Sequence, residues 1–77
     1  MKNRIKKVMA TVFLEEENKI SDNISQINFE KWESMTHLML MVEIENEFDV
    51  SFEPEDMVEM INLEMIEKHL NLKLKGN

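Results

Sequence analysis

The sequence predicts an all-α fold: a small four-helix bundle in a single domain over residues 1–77, with three longer helices, one short helix and a long loop between the first two. Three observations predict it. Apolar residues recur three and four positions apart in separate stretches, the period of a helix with one buried face. The chain has only one Gly and one Pro, which is little turn chemistry for strands joined by tight hairpins. It has no Cys, so neither a disulfide nor a thiolate zinc site can staple it. A domain of this size must then be held by its apolar side chains, here 43% of the sequence.

The first helix is expected over residues 3–15, where Ile5, Val8, Met9, Val12 and Phe13 follow the i, i+3, i+4, i+7, i+8 pattern. Its charges oppose the helix dipole, with Lys and Arg first and Glu15, Glu16 and Glu17 last, so packing must hold it. Residues 16–33 are polar and include Ser21-Asp22-Asn23, which reads as a loop. Loops this long in a compact domain tend to be functional. Ile20, Ile24, Ile27 and Phe29 are expected to pin it to the core, Trp32 to anchor its end, and part of it to form a short helical turn.

The second long helix is expected from Ser34, a natural N-cap. Met35, Leu38, Met41, Val42, Ile44 and Phe48 fall mostly on one face. The run Leu38–Val42 could pass for a buried strand, but Glu43, Glu45 and Glu47 are weak strand formers and the segment is long. Residues 49–53 connect to a short helix that opens on Pro54, with Glu55 and Asp56 favourable in its first turn and Met57 and Met60 on its apolar side. Asn62 is a good N-cap for the last helix, with Leu63, Ile66 and Leu70 facing inward; the tail 72–77 is expected to fray. Short later connections favour antiparallel neighbours.

The formal net charge of −7 argues against nucleic acid as a partner, because phosphates would repel the chain. The one basic cluster, Lys2, Arg4, Lys6 and Lys7, is too short to reverse that. No apolar run approaches a membrane span. The start has a basic stretch and then interrupted apolar residues without a small-residue cleavage site, so it reads as a helix and the expected compartment is the cytoplasm. His37 and His69 have no evident nucleophile paired with them, and one Gly cannot build a phosphate-cradling loop. The acidic stretch Asp49–Glu59 lacks the spacing and turn glycine of an EF-hand, so no metal site is expected. His37 is expected at the surface, one turn past Ser34.

Ser34 carries the most chemistry. It ends a long loop, follows the acidic Glu33 and opens an amphipathic helix, where free N–H groups and the dipole suit an attached phosphate. Helix logic alone is satisfied by a capping role. The stretch from Trp32 to Leu70, WESMTHLMLMVEIENEFDVSFEPEDMVEMINLEMIEKHL, resembles the acyl carrier protein family. That family attaches its prosthetic group at Asp-Ser-Leu or Asp-Ser-Met opening the second helix, and Glu33-Ser34-Met35 falls on this motif. Glu45-Asn46-Glu47-Phe48 resembles the family's Glu-Glu-Glu-Phe helix ending. Phe52 and Pro54-Glu55-Asp56 resemble its approach to the short third helix, and Asn62-Leu63 the start of its fourth. W-E-S-M-T-H-L is similar to a subgroup reading Trp-Asp-Ser-Leu-x-His, whose members often carry an amino acid or unusual acyl group. Two positions depart from the pattern: Glu33 stands where Asp is usual, and Lys31-Trp32 where a Gly precedes the motif.

The resemblance implies a bundle of acyl-carrier type and a non-catalytic carrier, expected to be monomeric. A phosphopantetheinyl transferase would move 4'-phosphopantetheine from coenzyme A onto Ser34, and the arm's thiol would hold an acyl or aminoacyl group as a thioester. An acyl or aminoacyl ligase and a downstream synthase or transferase, with basic docking patches, would be the partners. Glu33, Met35, Met39 and Glu45 are the expected partner contacts, with Glu43 and Glu47 further acidic candidates. The acidic residues could equally form an ordinary solvated face. The rival from another class is a small acidic helical interaction domain without a prosthetic group.

Overall fold

The computed structural model describes residues 1–75. Four α-helices follow one another: α1 (Lys2–Phe13), α2 (Ser34–Phe48), α3 (Pro54–Glu59) and α4 (Leu63–Lys75). A single 3₁₀ turn, Glu17–Lys19, interrupts the long loop between α1 and α2. No strand occurs among the described residues; there is one isolated antiparallel bridge, between Ser25 and Asn62. The all-α bundle expected from the sequence is therefore the observed architecture.

Helix α1 packs against both α2 and α4. Its Ile5, Met9, Val12 and Phe13 are buried, as their spacing requires. The basic residues at its start are used as ties: Lys2 reaches Glu67 of α4 at 4.0 Å, Arg4 reaches Glu47 of α2 at 3.1 Å, and Lys6 pairs with Asp22 of the loop. Arg4 also lies over the Phe48 ring, 4.3 Å from its centroid, a cation–π contact between α1 and α2. The one basic cluster of an acidic chain is thus largely spent inside the fold.

The C-termini of α1 and α2 close alike. Leu14 and Asp49 both adopt the left-handed conformation, φ 55°. Beyond them, Glu15 N–H donates to the Ala10 carbonyl at 2.9 Å and Val50 N–H to the Glu45 carbonyl at 3.1 Å. These six-to-one bonds are the Schellman closure that usually employs glycine at the left-handed residue. A chain with one Gly uses a tolerant Asp at one end and a poorly suited Leu at the other.

The long loop is held at several points. Ile20, Ile24 and Trp32 are buried, Phe29 packs partly against the core, and Phe13 stacks obliquely on both Phe29 and Trp32. Gln26 N–H donates to the Ile61 carbonyl and Leu63 N–H to the Ile24 carbonyl, stitching the loop to the start of α4. Ile27, expected inside, is instead 89% exposed. The stitch fixes Ile24 inward, and the turn closed by Asn28 onto Ser25 swings Ile27 out.

Helix α2 also departs from expectation. Its buried side chains are Leu40, Met41, Ile44 and Phe48. Met35, Leu38 and Val42, expected on that face, are 67%, 61% and 51% exposed. Two apolar stripes run along α2, roughly 150° apart around the axis, and only one of them is turned into the core. In α4, Leu63, Ile66 and Leu70 are buried as expected, joined by His69. The helix continues to Lys75, so the fraying expected for 72–77 does not hold for residues 72–75; residues 76–77 lie outside the described part. Asn62 caps α4 as expected, its Oδ1 accepting Met65 N–H at 2.7 Å.

Candidate functional site

The start of α2 is organised by Glu33 and Thr36. Glu33 is the N-cap residue: its Oε1 accepts the Thr36 N–H at 2.8 Å, while Thr36 Oγ1 accepts the Glu33 N–H at 2.9 Å. The Thr36 hydroxyl donates to the Lys31 carbonyl at 2.7 Å, tying the helix start to the preceding loop. This is a capping box with its residue types exchanged, acid first and hydroxyl third. The Glu33 carboxylate also lies at the positive end of the helix dipole.

Ser34 is consequently not the N-cap expected from the sequence but the first residue of α2. Its hydroxyl is exposed and makes no hydrogen bond among the described residues, because the capping work has passed to its neighbours. As first-turn residues, Ser34 and Met35 also have backbone N–H groups with no helical carbonyl to meet. A hydroxyl therefore stands free at a helix mouth.

Met35 and Met39 are both exposed, and with Leu38 and Val42 they line the uncovered stripe that starts beside Ser34. The four residues are spaced i, i+3, i+4 and i+7, so they share one side of the helix. The sequence pattern contained this stripe, merged with the buried one. Of the acidic residues on α2, Glu43 is exposed and unpaired among the described residues. Glu45 is half-buried, and its Oε2 accepts the Phe52 N–H at 2.8 Å, fixing the connector to α3. Glu47 is engaged by Arg4 through its carboxylate and its carbonyl.

His37 departs from expectation. It is half-buried, not a surface residue, and both ring nitrogens are engaged. Trp32 Nε1–H donates to Nδ1 at 2.9 Å, and Nε2 meets the Met57 carbonyl at 2.8 Å. Trp32 anchors the loop as expected and is only 1% exposed. The second histidine, His69, is buried in α4 and faces two carboxylates of α3, Glu59 Oε1 at 2.9 Å from Nε2 and Asp56 Oδ1 at 3.5 Å from Nδ1. Lys73 approaches Asp56 at 3.8 Å. The α3 partners of both rings are not legible in the sequence, since neither spacing nor composition marks a contact across 10 to 20 residues; the Trp32–His37 spacing is the one local signal.

Two carboxyl groups away from the site titrate below their ordinary range. The Lys31 ammonium, hydrogen-bonded to Glu15, holds that carboxyl down, and Lys6 does the same for Asp22. Among the described residues no group of three or more His, Asp or Glu side chains is placed to hold a metal ion, and no helix is long and apolar enough to cross a membrane. Comparison with protein-family models and with curated proteins finds no match for this chain.

Proposed function

We propose that this chain is a carrier of the acyl carrier type, bearing 4'-phosphopantetheine on Ser34 and an acyl or aminoacyl group as a thioester on that arm. The observation that carries the reading is the free Ser34 hydroxyl at the start of α2, beside Glu33 and Met35 in the order the resemblance requires. The helix mouth suits a phosphodiester, with unbonded N–H groups and the favourable end of the dipole. Glu33 keeps the acidic charge of the motif, and here it also holds the serine out of the cap.

In this reading the chain makes and breaks no bonds of its own. A phosphopantetheinyl transferase supplies the coenzyme A-derived arm, an acyl or aminoacyl ligase loads it, and a downstream synthase or transferase takes the cargo. Tethering raises the local concentration of cargo at each active site. The exposed stripe of Met35, Leu38, Met39 and Val42 serves as the partner-facing surface, with Glu33 and Glu43 at its margin for basic patches. Methionine suits such a surface because it adapts to several partners. The protein acts as a monomer in the cytoplasm, with neither nucleic acid nor membrane as partner.

The same stripe supports the second reading, an interaction domain without a prosthetic group, since an exposed apolar face is what a docking domain presents. The two part on one experiment. Incubation with a broad-specificity transferase and coenzyme A should add the mass of one phosphopantetheine to the wild-type chain and nothing to Ser34→Ala. An unmodified wild type of native helical content would favour the interaction domain.

A further inference from the structure

Helix α3 has six residues, and none of them is buried. Val58 points to solvent and Met57 is half-buried; the fully buried Met60 lies just past the helix end. A helix this short with so little apolar burial has no hold of its own. Beyond the partial packing of Met57 on the core, its fastenings are polar: Lys73 of α4 approaches Asp56, and the others fall to the two histidines. His69 of α4 meets the Asp56 and Glu59 carboxylates. His37 of α2 meets the Met57 carbonyl.

The chemistry at His37 fixes its proton. Indole Nε1–H can only donate, so Nδ1 must accept and be unprotonated. A backbone carbonyl can only accept, so Nε2 must carry the hydrogen. Both partners demand the same neutral Nε2–H tautomer. An imidazolium would set an N–H against the indole N–H and lose that bond. The His37 backbone N–H donates to the Glu33 carbonyl at 2.8 Å, within the turn that presents Ser34.

We infer that His37 is a positioning residue: held as the Nε2–H tautomer between Trp32 and Met57, it latches α3 to the first turn of α2 and so sets the place of Ser34 relative to α3. His69 completes the hold from the other side. Neither a peripheral surface role nor a catalytic one explains a ring with two oppositely polarised partners on two other segments. The latch does not depend on whether Ser34 carries a group.

The test uses the full chain and two substitutions. His37→Phe keeps an aromatic ring and removes both bonds; His37→Gln offers an amide oxygen to Trp32 and an amide N–H to Met57. In the wild type near neutral pH, ring ¹⁵N shifts should identify the Nε2–H tautomer. His37→Phe should speed hydrogen exchange of the Met57 and Met60 amides by about tenfold or more, and that of core amides in α1 and α4 by less than about threefold, the pattern of a local opening. His37→Gln should restore exchange to within about threefold of wild type. An Nδ1–H tautomer, unchanged α3 exchange, or equal acceleration in every helix would each overturn the inference. If His37→Phe does not fold, the tautomer and His37→Gln decide it. Labelling of Ser34 by the transferase should fall in His37→Phe and recover in His37→Gln; this arm alone rests on the carrier reading. A wild type that takes up no phosphopantetheine overturns that reading while exchange still judges the latch.

Discussion

Removing the Ser34 hydroxyl should leave the fold almost untouched, and the reason lies in who caps α2. A serine that caps a helix costs about 0.5–2 kcal/mol when replaced by alanine. Here the Thr36 N–H is satisfied by Glu33, and Ser34 Oγ has no bond to lose. Ser34→Ala should therefore shift stability by less than about 0.5 kcal/mol, the range of a surface change away from any cap. Thr36→Val should cost about 1–2 kcal/mol, because it removes the acceptor of the Glu33 N–H and the donor to the Lys31 carbonyl. Glu33→Ala should fall in the same range, having lost both the cap and a favourable charge at the dipole. The double variant should cost less than the sum of the two, since each single change already breaks the reciprocal pair. Urea unfolding followed by helical circular dichroism resolves this. With a slope near 1 kcal/mol/M for so small a domain, 1 kcal/mol moves the midpoint by about 1 M. A Ser34→Ala loss above about 1 kcal/mol with a neutral Thr36→Val would return the cap to Ser34 and refute the free-hydroxyl reasoning.

Three further outcomes follow from the same structure. Leu40→Ala should cost about 2–5 kcal/mol and Leu38→Ala less than about 1 in urea unfolding, because the first side chain is fully buried and the second mostly exposed; a larger loss at Leu38 than at Leu40 would show that the two stripes of α2 are assigned the wrong way round. Leu14→Gly should stabilise the chain by several tenths to about 1 kcal/mol, as relief of a left-handed leucine outweighs the added freedom of the unfolded chain; thermal unfolding reads the sign. Lys6→Met tests the depressed Asp22 carboxyl: a folded-state value below the unfolded one gives stability that is full above the ordinary aspartate range and lost as pH falls through the folded value. The gap between wild type and Lys6→Met should thus be largest above the ordinary aspartate range and close as pH falls through the lower folded-state value, and a gap that widens in acid would contradict the pairing.

What the sequence disclosed and what it hid divide by whether the deciding contact is local. Ile5, Met9, Val12 and Phe13 sit on α1 with one apolar stripe, and Leu63, Ile66 and Leu70 do so on α4, so periodicity alone placed them inside. Pro54 and Asn62 announce helix starts by their own chemistry. Helix α2 carries two stripes, and which one is buried depends on where α1 lies, a fact periodicity does not contain. The cap was misread for a related reason. Ser has the stronger intrinsic preference, but Glu33 wins because Thr36 stands three residues on and returns the bond. Ile24 and Ile27 look alike in the sequence; the stitch to Ile61 and Leu63, more than 30 residues away, separates them. At the site, Ser34, Met35 and Met39 were legible as a cluster opening α2, whereas the His37 and His69 contacts with α3 depend on tertiary placement.

The proposed attachment of a phosphopantetheine arm to the Ser34 hydroxyl is tested most directly by peptide mapping. Trypsin cleavage after Lys31 and Lys68 leaves residues 32–68 as one peptide, in which Ser34, Thr36 and Ser51 are the only hydroxyl side chains. After treatment with transferase and coenzyme A, fragmentation of that peptide should place a single phosphopantetheine on Ser34. A peptide that stays unmodified, or one modified at Thr36 or Ser51, would contradict the account.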